Sequence, residues 1–332
     1  MTVRVVTDSC SDIPQEEAKR LGITVVPAYL RFGNEVYRDG VDIDSDEFYR
    51  KLATSQVHPS TAAPSPGDFA KVYEEAARET NEIVSIHVTK KHSAVYDAAL
   101  LGKEIAEGKG CRIEVVDSRG LTIWQGLVAI AAAKAAEAGY SLHQVVNKAH
   151  ETIRQLRALA LLDTLKYAVK GGRLSSTIFA VESLLSVKAF ITLRDGEIRP
   201  AGLTRNRSKG LDRLREFMRS AVNIEDLAIA YSTTPDEAQT LADYARSLFA
   251  NIAPEIARLG PTLGVHAGPG ALAIVIRQST SPVKVSDTSQ EWKYPICAQS
   301  GTFSSTIARF ALTCRLRMLC GMWASIYLVP RR

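Results

Sequence analysis

Short runs of β-branched and aliphatic residues alternate with helical periodicity through the first half of this 332-residue chain, and that alternation restricts the folds open to it. Runs at 3–7, 24–30, 82–88 and 112–116 read as strands, and helical patterns occur at 15–21, 66–78, 93–107 and 122–138. This order predicts an α/β fold with a mainly parallel sheet, because parallel neighbours need crossover connections that lay helices over both faces. Ligands of such sheets favour the carboxyl ends of the strands.

The pattern changes near residue 158. LALLDTL is followed by a helical stretch ending at Lys170, the pair Gly171-Gly172, and a further apolar helix through Leu184. Residues 187–193 and 197–204 flank Asp195-Gly196, a dipeptide suited to a tight hairpin turn. A helix at 206–220, a strand at 227–231, a helix at 235–250, and the strand-like ALAIVI at 271–276 complete a second, α+β domain. The expected organisation is residues 1–157, then 158–277, then an atypical extension at 278–332.

That extension holds three of the five cysteines and two of the three tryptophans. Its apolar stretch 305–329 is interrupted by Arg309, Arg315 and Arg317. Each arginine would cost roughly 2.5–3.5 kcal/mol near a bilayer centre, so a poorly ordered tail is expected instead of a membrane span. The start of the chain is broken by Asp8 and has no apolar run of the export type, which leads us to expect a cytoplasmic protein. Cys10, Cys111, Cys297, Cys314 and Cys320 are odd in number and form no CxxC pair, so reduced thiols and no metal are expected.

The net charge of +5 raises the question of nucleic acid, and its location answers it. Seven basic and two acidic residues lie in 278–332, leaving 34 of each sign in the rest of the chain. A neutral body without a basic stripe argues against nucleic-acid binding.

Four segments place small polar groups where strands end or helices begin. TDSCSDIP carries Asp8, Ser9, Ser11 and Asp12 between a strand and a helix, where helix capping explains them equally well. HPSTAAPSPGDF presents Thr61 on a loop stiffened by Pro64 and Pro66. IHVTKKHSAVYDAA puts Ser93 at a helix N-terminus, where an anion or an ordinary cap would sit. LGVHAGPGALAIVI places His266 between a strand and a Gly-Pro-Gly turn.

These segments, with YRDGVDIDSDEFYRKL, VVDSRGLTIWQG, LDTLKYAVKGGRLSS and DGEIRPAGLTRNRSKGLDRL, occur in the order seen in the DegV family, and the chain resembles that family over about residues 2–277. The resemblance implies a DegV-like fold and a protein that holds a long-chain fatty acid. It also implies an ATP-dependent kinase subunit as partner, with this chain as its non-catalytic, lipid-binding carrier in phospholipid metabolism. By motif position, Thr61, Ser93 and His266 would bind the fatty-acid carboxylate. Arg173, Asp8 and Ser9 would lie at the mouth or face the partner. The chain departs from the family pattern at Ala62 and Ala63, and at His92, Ala94 and Val95, which bears on the shape of the mouth.

A buried acyl chain of about 14 methylenes gains on the order of 11 kcal/mol before ordering costs, while its carboxylate needs polar partners at the mouth. Ile123, Leu127, Phe179, Val181, Leu184 and Ile191 are candidates for the apolar lining. Two other readings compete. One is a serine hydrolase with Ser93 as nucleophile, His266 as base and Asp8 or Asp117 as orienter, although Ser93 is not in a GxSxG elbow. The other is a lipid-sensing module without phosphoryl transfer, consistent with the lack of a GxxxxGK[ST] loop.

Overall fold

Residues 3–107, 110–173 and 187–279 are described by the computed structural model. Strands β1 (Arg4–Asp8), β2 (Ile23–Val26), β6 (Glu82–His87) and β7 (Arg112–Asp117) form a wholly parallel sheet in the order β2-β1-β6-β7. The expected strand at 24–30 is instead two. Pro27, which has no N–H to donate, separates β2 from β3 (Tyr29–Phe32), and β3 joins a small antiparallel sheet with β4 (Glu35–Arg38) and β5 (Ser60–Ala62). Thr61 therefore sits on a short strand, paired with Leu30, and not on a free loop.

Helices cover both faces of the parallel sheet. The first is α1 (Gln15–Arg20), and α2 (Ser45–Thr54) packs beside the small sheet through Phe48 and Leu52. On one face α3 (Pro66–Ala76) and α4 (Val95–Glu107) bury Phe69, Tyr73 and Ala99 against Val6, Ile83 and Ile113. Pro66 and a capping box between Ser65 and Asp68 start α3. On the other face lie α5 (Ile123–Glu137) and α6 (Leu142–Gln155). Helix α5 is apolar nearly all round, and its residues meet Val84 and Ile86 of the parallel sheet together with Ala228, Ala230, Ala273 and Val275 of a second sheet. A helix with no polar face has to be buried on every side.

The second sheet has the order β10-β9-β8-β13-β11-β12, with β8 (Leu156–Leu162), β9 (Lys188–Arg194), β10 (Glu197–Thr204), β11 (Ile224–Tyr231), β12 (Glu255–Arg258) and β13 (Leu272–Gln278). All its pairings are antiparallel except β11 with β12. Its outer face packs on α8 (Arg207–Arg219) and α9 (Pro235–Leu248) through Leu159, Leu161, Ile274, Ile276, Leu214 and Leu241. On β8 the residues of opposite parity, Ala158 and Ala160, face inward toward α5. Short α7 (Lys166–Lys170) and α10 (Pro261–Ala267) pack together at one end.

The Asp195-Gly196 turn is present, with φ of 52° and 81°, so both residues occupy the left-handed region that tight hairpins demand. Its tip docks on the loop after β6, where the Thr89 hydroxyl donates to the Gly196 carbonyl at 2.9 Å and His92 Nε2 accepts from the Ile198 N–H at 3.1 Å. A Cβ at position 196 would stand 2.6 Å from Thr89 Oγ1, which is a second reason for glycine there. Among the described residues no helix is long and apolar enough to cross a membrane. The expected extension beyond residue 279, the helix through Leu184, and the lining candidates Phe179, Val181 and Leu184 lie outside the described residues.

Candidate functional site

An apolar cavity opens on the inner face of the second sheet, with a free volume of about 850 Å³, its open mouth included. Its floor is the inward row of the sheet: Ala158 and Ala160 of β8, Ile191 and Leu193 of β9, Ala273 and Val275 of β13. Leu121 and Trp124 at the start of α5 form one wall, and Leu263, His266 and Ala267 of α10 form another. The cavity exists because alanines occupy positions where leucines would fill the space; Ala168 of α7, and Ala271, continue the pattern. Of the lining expected from sequence, Ile191 faces the cavity, whereas Ile123 and Leu127 belong to the packed core around α5.

One end of the cavity is polar. His266 Nε2 lies 3.2 Å from Thr61 Oγ1, a contact between residues 205 apart in sequence. His266 lies within α10, not after a strand as the sequence suggested, because Pro261 at the first helical position starts a helix there. The backbone N–H groups of Gly260 and Thr262 at that helix start donate to Asp12 at 2.9 Å and to Asp39 at 3.1 Å. The carboxylate of the TDSCSDIP segment thus anchors the helix that presents His266, not the helix that follows it in sequence. Burial pushes the Asp12 carboxyl well above its ordinary range and that of Asp39 up to about 6.

Burial, followed by the nearby charges of Arg173 and His58, pushes the His266 imidazole down to about 4. The ring is therefore neutral at neutral pH. Arg173 lines the cavity from an exposed position and donates through Nη1 to the Gly171 carbonyl at 3.0 Å. Lys166 and Lys170 lie close enough to His58 to lower its affinity for a proton, which is already reduced by burial. The His58 ring packs on Tyr167 with centroids 6.0 Å apart. Together these groups give the polar end a positive field suited to an anion.

Ser93 stands just before α4, and its hydroxyl accepts the Val95 N–H at 3.3 Å. Among the described residues it makes no hydrogen bond to Thr61 or His266. Asp8 does not face the mouth. Its carboxylate is fully buried and accepts from the N–H of Cys10 and Val88 and from the Gln125 amide, while Oδ2 lies 2.9 Å from His87 Nδ1. The chain continues from His87 Nε2 to Ser85 Oγ at 2.6 Å and on to the Tyr73 hydroxyl at 2.8 Å. Ser9 follows Asp8 in sequence, half-buried, with its hydroxyl accepting the Ala28 N–H.

This geometry removes the triad of the hydrolase reading. Asp8 orients His87 and not His266, and Asp117 accepts the Arg119 N–H at 2.8 Å. Among the described residues His266 Nδ1 is buried with no hydrogen-bond partner, so no carboxylate among them orients that ring. The line of Ser85, His87 and Asp8 resembles a triad, but all three side chains are inaccessible to solvent. Sequence reasoning missed His87 and His58. The alternation of Ser85 and His87 on one face of a strand beside Asp8 is the signal that could have found the former.

Comparison with known proteins agrees with this architecture. Residues 2–279 match the model of the DegV family. A DegV domain-containing protein of Caldanaerobacter subterraneus is 32% identical over 282 residues, 83% of this chain and 99% of its own length, and one from Halalkalibacterium halodurans is 32% identical over 278 residues, 82% and 97%. Among solved structures, a fatty-acid-binding DegV family protein from Thermus thermophilus superimposes with a TM-score of 0.75 at 29% identity, covering 84% of this chain and all of that one. DegV of Bacillus subtilis, a fatty acid binding protein, gives 0.74 at 27% identity, covering 84% and 100%. A stearic acid-binding protein from Eubacterium ventriosum gives 0.75 at 26% identity, covering 83% and 98%. Matched from its second residue to the last strand of the second sheet, the chain belongs to the DegV family.

Proposed function

We propose that this protein binds a long-chain fatty acid with its hydrocarbon in the alanine-floored cavity and its carboxylate at the Thr61–His266 pair, and presents that carboxylate to a separate ATP-using kinase subunit. The observation that carries the reading is an apolar cavity that ends at a hydrogen-bonded pair of polar side chains in a positive field. The hydrocarbon supplies the affinity, since each buried methylene contributes about 0.8 kcal/mol. The polar end fixes orientation, because a carboxylate buried without donors would cost several kcal/mol. In this reading the Thr61 hydroxyl donates to the carboxylate, Arg173 adds long-range attraction, and Ser93 serves as a further donor. The relatives of known structure that bind fatty acids share this fold.

Phosphorylation would follow at the exposed end: a carboxylate oxygen attacks the γ-phosphorus of ATP held by the partner, giving acyl phosphate and ADP. Denaturing extraction of purified protein, followed by mass spectrometry, is expected to release fatty acid in near-stoichiometric amount. Folded protein that carries none, and that takes up none when mixed with palmitate, overturns the binding reading. Incubation of loaded protein with an active kinase subunit and ATP is expected to yield acyl phosphate. If none forms, lipid binding stands and the carrier role falls, leaving sensing.

A further inference from the structure

Gly171 closes α7 with φ −73° and ψ −7°, values any residue adopts, so its backbone does not call for glycine. Its surroundings do. A Cβ at this position would stand 2.0 Å from His266 Nδ1 and 2.8 Å from Cε1. The His266 ring therefore lies directly on the Gly171 backbone, and among the described residues Nδ1 is buried there without a partner. The other ring nitrogen faces Thr61 Oγ1.

A neutral imidazole carries its proton on one nitrogen only. A buried N–H with no acceptor is rarer in folded proteins than a buried acceptor with no donor. Nδ1 is then the bare nitrogen and Nε2 holds the proton, which it donates to Thr61 Oγ1. A hydroxyl has one proton and two lone pairs. Having accepted from His266, Thr61 keeps its own proton for another acceptor, and among the described residues its side-chain oxygen has no other partner. With the opposite tautomer the Thr61 proton would point back at the ring, and only lone pairs would face an incoming carboxylate.

We infer that Gly171 is a positioning residue: by packing bare against Nδ1 it fixes His266 as the Nε2–H tautomer and thereby turns the Thr61 hydroxyl proton outward to the ligand carboxylate. The inference rests on the binding reading above, yet its central claim concerns a ring that is present without ligand.

Two measurements on the full chain test it. In ¹⁵N-labelled, delipidated protein at neutral pH, two-bond ¹H–¹⁵N spectra of the histidine rings, assigned by loss of a signal in His266→Gln, are expected to show His266 with Nδ1 unprotonated and Nε2 protonated. A protonated Nδ1 overturns the inference and needs no variant to fold beyond the one used for assignment. In titrations with palmitate, Gly171→Ala is expected to weaken binding by about tenfold or more, the worth of a hydrogen bond to a charged group. In a His266→Gln background the same change is expected to cost less than about twofold, because its effect runs through the ring. An equal loss in both backgrounds overturns the positioning role. Wild-type protein that binds no palmitate defeats the binding reading itself, while the tautomer is still decided by the spectrum.

Discussion

Replacing Ala160 with leucine tests the cavity directly. Ala160 lies mid-strand in β8, opposite Ala273 on one neighbouring strand and Ile191 on the other, and all three line the cavity. Leucine adds three carbons to the floor and excludes about as many from the ligand. At about 0.8 kcal/mol per methylene the loss is about 2.4 kcal/mol, or roughly 60-fold in dissociation constant. The free protein has no reason to suffer, since the new side chain enters empty apolar space. Palmitate titration by fluorescence displacement, beside a thermal melt of the delipidated protein, reads both effects. An acid three carbons shorter should lose much less than palmitate. Unchanged palmitate affinity in a folded variant, or an equal loss for both acids, would refute the placement of the hydrocarbon on this sheet.

Thr61→Val keeps the shape of the side chain and removes its hydroxyl, so palmitate affinity should fall by about 1–3 kcal/mol, with the melting temperature of free protein nearly unchanged; comparable losses in both would assign Thr61 to the fold instead. Because the folded His266 has its pKa depressed to about 4 while an unfolded histidine titrates near 6.5, the unfolded chain alone takes up this proton as pH falls through that window. Wild type should accordingly lose on the order of 3 kcal/mol relative to His266→Gln between pH 6.5 and 4, with the opposing contribution of Asp39 common to both proteins; parallel urea-unfolding stabilities across that range would contradict it. Asp8→Ala strands the His87 ring, the Val88 N–H and the Gln125 amide inside the sheet, and urea unfolding should show a loss of about 3–5 kcal/mol; a loss below about 1 kcal/mol would mean the buried network is not what holds β1 to β6.

The strand and helix alternation of the parallel sheet, the hairpin at Asp195-Gly196 and the start of α3 at Pro66 were readable from the chain, because each depends on residues a few positions apart, whereas the small sheet of β3, β4 and β5 and the helix that carries His266 were not. The alanine row was readable too: in LRALALL, Ala158 and Ala160 fall on one parity and Leu159 and Leu161 on the other, so mid-strand one face of β8 is filled and the other left hollow, with Leu156 and Leu162 at the two ends of the hollow face. What could not be read depends on distant partners. Nothing near Asp12 announces that its carboxyl will meet the start of a helix 248 positions away, and the Ser85–His87 alternation points to Asp8 only once their strands are known to be neighbours. In the sequence Gly171 is only the first of the pair Gly171-Gly172 after a helical stretch, and the ring of His266 lying on it gives it a further meaning.

Helix α5 carries a consequence for anyone who would dissect this protein. Its side chains pack against α6 and against strands that belong to both halves of the sequence. A fragment cut near residue 157 would keep the helix and lose the second-sheet strands that cover one side of it, exposing apolar side chains to water. Such a piece should aggregate and not fold, and the intact chain should melt in a single step. The boundary between the two sheets is thus a seam in the drawing of the fold, across which stability is shared.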